Sequence, residues 1–164
     1  MISRDEFVSR FGGVYEHSPF IAERAWDQGK IDEPLTASGV HQALSTVFRA
    51  ASEEERLGVL RAHPDLAGKL AIAGGLTEDS KREQAGAGLD RLTPDEHAEF
   101  TRLNSAYIDR FGFPFIIAVA GLNKDDILAA FRRRVENAAA EELSTASAEV
   151  EKIAGFRLKA LLSE

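Results

Sequence analysis

The sequence predicts an all-α fold of about seven or eight helices. Three observations predict it. Residues suited to helix N-caps recur along the chain: Ser3, Ser18, Thr36, Ser52, Thr77, Thr93 and Asn123. Apolar residues follow these caps at intervals of three and four, the spacing of one helix face. The one strand-like stretch, from Phe113 to Gly121, has no second stretch to pair with.

Ser3 with Glu6 has capping-box spacing, Phe7, Val8 and Phe11 form a short stripe, and Gly12-Gly13 ends the helix. Ser18-Pro19 reads as an N-cap followed by an N1 proline, opening a helix through Ile21, Ala25 and Trp26. Gly29 to Pro34 is a loop, and Thr36 starts a helix with Val40, Leu44, Val47 and Phe48 on one face. Ser52 with Glu55 is a second capping box, and His63-Pro64 stops the helix it opens, because proline disfavours the α conformation in the residue before it. Residues 66 to 76 are ambiguous. Thr77 caps the next helix, which Gly86 and Gly88 weaken.

Thr93-Pro94-Asp95-Glu96 is the clearest helix start, and Phe100, Leu103, Tyr107 and Phe111 give that helix its buried stripe. Gly112 ends it. Phe113 to Gly121 is apolar on all sides, so it is expected to be a buried extended lead-in to a helix capped by Asn123. That helix carries Ile127, Leu128, Phe131 and Val135, with Asn137 as a break. A last helix is expected from about Glu141 to Leu162.

The length of 164 residues suits a single domain spanning 1–164, able to bury a real core without disulfide or metal staples. No cysteine is present, which rules out a disulfide scaffold, a thiol nucleophile and a cysteine-ligated cluster. The net charge is −7, from 20 basic and 27 acidic residues. That balance argues against nucleic acid or an anionic membrane surface as partner. An anionic substrate would therefore need local positive charge. The longest apolar run, Phe113 to Leu122, is about half of the roughly 20 residues needed to span a bilayer. The N-terminal residues are charged where a secretory segment is apolar, and the chain ends in no peroxisomal or retention signal, so the expected compartment is the cytoplasm.

Four histidines are candidates for chemistry: His17, His41, His63 and His97. None pair at metal-binding helical spacing, so no metal site is expected. His97 is expected on an exposed polar helix, His41 as a structural histidine beside an apolar stripe, and His17 as local scaffolding. His63 stands at a helix end, where the fixed backbone of Pro64 aims it. It can be an acid–base group or a C-terminal residue interacting with the helix dipole. Ser80, Glu83 and Gln84 share a helix face, and the small residues Ala85 to Gly88 beside them allow close approach. Such a triplet is also common on solvated faces.

The last helix carries a stripe of Leu143, Ala146, Val150, Ile153 and Leu161, and the register puts Arg157 on it. A guanidinium there must meet a buried acid, face a pocket that receives an anion, or snorkel outward. Arg132 to Arg134 reads as a solvated face.

Together these pieces resemble the family of 2-oxo-4-hydroxy-4-carboxy-5-ureidoimidazoline (OHCU) decarboxylases, enzymes of urate breakdown. The matching residues are Phe11-Gly-Gly-Val-Tyr-Glu16 with Ser18-Pro19 and Ala25-Trp26, His63-Pro-Asp-Leu-Ala-Gly68, Ser80 with Glu83-Gln84-Ala85-Gly86, Phe111-Gly-Phe-Pro-Phe-Ile-Ile117, and Arg157. Each piece is weak alone, and their order and intervals are specific.

The resemblance implies an all-α enzyme with no metal and no organic cofactor, a small-molecule substrate and often a homodimer. It implies two catalytic residues: His63 as the acid–base group near the substrate's carboxylate and hydroxyl, and Glu83 across from it, pairing with ring or ureido nitrogens and tuning His63. Pro64, Ser80 and Gln84 would be substrate-binding, the latter two holding polar edges of the ring. Arg157 would hold carbonyl or carboxylate oxygens, and the backbone of Phe115, Ile116 and Ile117 would supply amide donors. Two rival readings are a non-catalytic helical binding module with an acidic surface, and an enzyme of the same fold acting on another ureide or imidazolone.

Overall fold

The computed structural model describes residues 1–68 and 74–162. Among them are eight helices and no strand: α1 (Arg4–Phe11), α2 (Phe20–Asp27), α3 (Ala37–Ala50), α4 (Glu53–Arg61), α5 (Glu78–Gly86), α6 (Pro94–Phe111), α7 (Lys124–Arg134) and α8 (Ala139–Leu161). The all-α expectation holds. The ambiguous stretch 66–76 lies partly outside the described residues.

The local starts follow the cap chemistry. Ser3, Thr36 and Thr77 accept from the amides of Glu6, Gly39 and Ser80. Full capping boxes join Ser52 to Glu55, Thr93 to Glu96 and Asn123 to Asp126. Gly112 ends α6 at φ 80°, in the left-handed region where glycine carries no Cβ penalty. Ser18 departs from expectation: its hydroxyl donates to the carbonyl of Glu16 at 3.3 Å, and Pro19 occupies the cap position of α2 with no side-chain bond. The hydroxyl is spent in the preceding turn, so α2 begins at Phe20.

The described residues group into two compact units. The first comprises Met1–Ala62 and the chain from Val150 onward. Here α1 packs on α2 and α2 on α3. Phe7 lies 5.0 Å from Phe11 and 5.6 Å from Trp26, ring centre to centre, and Tyr15 lies 5.3 Å from Phe48. Leu44, Leu60, Ala154 and Leu158 are sealed within this core. Leu161, expected on the buried stripe of α8, is 48% exposed. The buried face runs through Val150 and Ile153 as expected and continues with Ala154, Arg157 and Leu158, and the last residue of the helix falls outside it.

The second unit is His63–Glu149. Its core stacks Phe115 on Phe131 at 3.9 Å, with Tyr107 edge-on to both at 5.4 and 6.0 Å. The segment 113–119 runs without regular structure through this core, with Phe113, Phe115, Ile116 and Val119 buried.

Arg134 corrects a third expectation. Arg132 and Arg133 are exposed, whereas Arg134 is 5% exposed. It stands three residues after the buried Phe131, on the apolar side of α7. Its Nε donates to Glu142 at 2.9 Å, and the same carboxylate accepts from Tyr107 Oη at 2.6 Å and Asn137 Nδ2 at 3.0 Å. Burial of both charges is tolerable because each finds a charged partner and further hydrogen bonds. His97, expected on an exposed polar face, is half-buried.

Candidate active site

His63 follows Ala62, the C-terminal cap of α4, and is 7% exposed. The loop beyond it is wound tightly. Ala67 adopts φ 53°, a left-handed conformation that costs a non-glycine residue about 1–2 kcal/mol. A Cβ placed on Gly68 would lie 2.7 Å from the Cβ of Asp65, so only glycine fits without a shift. The glycine that ends the motif is therefore a backbone requirement.

Side chains of α5 and α6 hold this loop. Gln84 Oε1 accepts from the amide of Ala67 at 2.9 Å, and its Nε2 donates to the carbonyl of Asp65 at 3.2 Å. Asn104 Nδ2 donates to the carbonyl of Leu66 at 2.9 Å. Three successive residues after His63-Pro64 are thus each fixed by a side chain. Burial pushes the Asp65 carboxyl up from its ordinary value.

Ser80 and Gln84 lie one turn apart on α5, both buried, and Glu83 beside them is partly exposed. The structure ties Gln84 to the His63 loop directly. Gln84 was expected on the ring's polar edges; its two bonds here go to the protein backbone.

The 115–118 backbone is held by buried charges. Arg134 Nη1 donates to the carbonyl of Ile116 at 2.7 Å, and its guanidinium lies 4.5 Å over the Phe115 ring. The amide of Ala118 donates to Glu149 Oε1 at 3.1 Å.

Arg157 belongs to the first unit, where it is 3% exposed. Its Nη2 donates to Glu16 Oε1 at 3.1 Å and its Nη1 to the carbonyl of Val14 at 3.5 Å. Of the alternatives open to a core-facing arginine, it meets a buried acid. Among the described residues, no three His, Cys, Asp or Glu side chains gather where they could hold a metal ion.

Sequence reasoning missed Asn104, Arg134, Glu142 and Glu149 as structural partners. Asn104 had a signal, a polar residue beside Leu103 on the buried stripe of α6. Arg134 had one too, in register with Ile127 and Phe131, masked by the two exposed arginines before it.

The geometry defines a helical scaffold that fixes a histidine loop, a polar helix face and an extended backbone segment. A family model described as OHCU decarboxylase matches residues 1–159. The chain is 40% identical to the OHCU decarboxylase of Halalkalicoccus jeotgali over 96% of its length and 86% of that protein. It is 43% identical to that of Haloferax volcanii over 94% of its length and 88% of that protein. A crystal structure of (S)-allantoin synthase superposes with a TM-score of 0.79 at 32% identity, covering 99% of this chain and 51% of that one, so this chain spans about half of that protein. The chain belongs to the OHCU decarboxylase family, a family of carboxy-lyases.

Proposed function

We propose that the chain converts OHCU to (S)-allantoin and CO2 in urate breakdown, without a cofactor and with His63 as the acid–base group. Family membership supports the reaction. The observation that carries the role of His63 is its loop: the imidazole is buried, and the backbone just after His63-Pro64 is tied at Asp65, Leu66 and Ala67 by Gln84 or Asn104.

The chemistry supports a protein that mainly positions. One ring carbon of the substrate bears a carboxylate and a hydroxyl, and its neighbour is a C=N carbon carrying the ureido group. When the bond to the carboxylate breaks, its electron pair forms a C=C bond. The C=N pair moves onto nitrogen, which takes a proton. The resulting enol then loses its hydroxyl proton to become the ring carbonyl, and the ureido-bearing carbon takes a proton from one face. The substrate is its own electron sink. His63 serves these proton movements, and a fixed donor gives one hand of product.

The remaining roles follow the family resemblance. Glu83 pairs with ring or ureido nitrogens. Pro64 and Ser80 contact the substrate, and Gln84 does so while holding the His63 loop. The backbone of Phe115, Ile116 and Ile117 offers amide donors, and Arg157 holds carboxylate or carbonyl oxygens. Residues 1–164 act as one domain, because the family model runs through both compact units. A cytoplasmic homodimer is the proposed setting. No described helix is long and apolar enough to cross a membrane.

The test generates OHCU in situ from urate and follows circular dichroism. Wild-type protein should give (S)-allantoin rapidly, and His63→Asn should fold yet leave racemic product at the uncatalysed rate. Full stereospecific activity in His63→Asn removes this histidine from the mechanism.

A further inference from the structure

Two consecutive peptide units of the second compact unit are each held by a buried charge. The carbonyl of Ile116 accepts from Arg134 Nη1 at 2.7 Å, and the amide of Ala118 donates to Glu149 Oε1 at 3.1 Å. Arg134 is itself fixed through Glu142, which Tyr107 and Asn137 hold in turn. None of these charged side chains has a part in the proton chemistry above.

A trans peptide is planar, with its C=O and N–H pointing in opposite directions. Among the described residues the only cis bond is Glu33–Pro34, so both units at Ile117 are trans. Aiming the Ile116 carbonyl at Arg134 therefore turns the Ile117 N–H away from that guanidinium. Aiming the Ala118 N–H at Glu149 turns the Ile117 carbonyl away from that carboxylate. One residue is left with its donor and its acceptor both directed off the charged network. An adjacent donor and acceptor match the –NH–C(=O)– edge of a lactam or ureide, each group meeting its complement.

We propose that Arg134 and Glu149 are positioning residues for the reaction: they set the direction of the Ile117 N–H and C=O, which pair with the –NH–C(=O)– edge of the ureide substrate. This rests on the decarboxylase reading and narrows it to one residue and one edge. A purely structural ion pair would stabilise the fold and leave substrate affinity alone.

The experiment uses the full chain, with steady-state kinetics on OHCU generated in situ and calorimetric binding of allantoin. Arg134→Lys keeps a cation near Glu142, but one ammonium cannot span both Glu142 and the Ile116 carbonyl. It should raise KM and the allantoin Kd about tenfold with kcat little changed, the signature of lost uniform binding. Glu149→Leu should do the same, and Glu149→Gln, whose amide oxygen still accepts from Ala118, should restore both. Leu128→Ala opens a cavity on the helix that carries Arg134 without touching this hydrogen-bond chain, and should lower Tm while leaving KM unchanged. Wild-type KM in Arg134→Lys and Glu149→Leu overturns the proposal, as does a KM rise in Leu128→Ala of equal size, or a Glu149→Gln no better than leucine. A wild-type protein that fails to decarboxylate OHCU defeats the functional reading instead. The allantoin Kd values of the variants still decide the positioning roles.

Discussion

Arg157 donates to Glu16 at 3.1 Å with both side chains almost sealed from solvent. The pair joins the end of the Phe11-Gly-Gly-Val-Tyr-Glu16 run to the last helix. It gives that run a physical purpose, since the carboxylate of Glu16 compensates the one guanidinium on the buried face of α8. The carbonyl of Val14 takes a second donor of the same fork.

Removing one member of a buried ion pair strands the other. Glu16→Ala should therefore destabilise the protein by about 3–5 kcal/mol in urea unfolding. Arg157→Lys keeps the charge near Glu16 and should cost less stability. If Arg157 also holds substrate oxygens, its lost fork should still lower kcat/KM by tenfold or more, roughly what one charge-assisted hydrogen bond supplies. Unchanged kcat and KM in Arg157→Lys would make this arginine structural.

The His63 loop depends on Gln84 at two backbone atoms. Gln84→Ala leaves the buried Ala67 amide without its acceptor, at a cost of about 1–3 kcal/mol. It also frees the residues after His63, and if His63 has its proposed acid–base role, its displacement should cost up to about 100-fold in rate. Asn104→Ala, which frees only the carbonyl of Leu66, should show a smaller fall in kcat. Equal kcat in both variants and wild type, measured below their melting temperatures, would separate the loop from the chemistry.

Gly68 is required by contact. A methyl at this position would meet Asp65 Cβ at 2.7 Å, closer than two carbons can approach. Gly68→Ala should cost about 1–3 kcal/mol, as overpacking does, and lower kcat by moving the turn that follows His63. Thermal unfolding together with kinetics checks it. Wild-type values of both would mean that the turn opens freely.

The helices were legible because their signals are local. Thr93-Pro94-Asp95-Glu96 and Ser52 with Glu55 fold as cap chemistry dictates, and Gly112 ends α6 as its freedom at positive φ allows. Ser18 was misread because its hydroxyl had a competing partner in the turn before it, which spacing does not reveal. The site was legible as residue types in order. What the sequence concealed was the job of each polar group: Gln84 on the backbone of Asp65 and Ala67, Arg134 on Ile116, Glu16 beneath Arg157. Those partners lie far along the chain, and no helical period encodes them.

His41 carries a pH dependence of stability. Its ring packs against α8, where a Cβ on Gly155 would lie 3.3 Å from Cε1. Burial lowers the pKa of this imidazole; Glu151 opposes the shift, and Arg49 and Lys159 reinforce it. A depressed pKa means that the unfolded chain binds the proton more readily than the folded one. The stabilising contribution is therefore complete above the unfolded value, about 6.5, and is lost as pH falls through the lower folded value. The urea midpoint of the wild type should hold steady from pH 8 to about 7 and decline below 6.5. His41→Gln removes the titrating group and should flatten that decline, whatever other groups contribute, because they are common to both proteins. A variant whose midpoint falls in parallel with the wild type between pH 6.5 and pH 5 would assign the dependence to other groups.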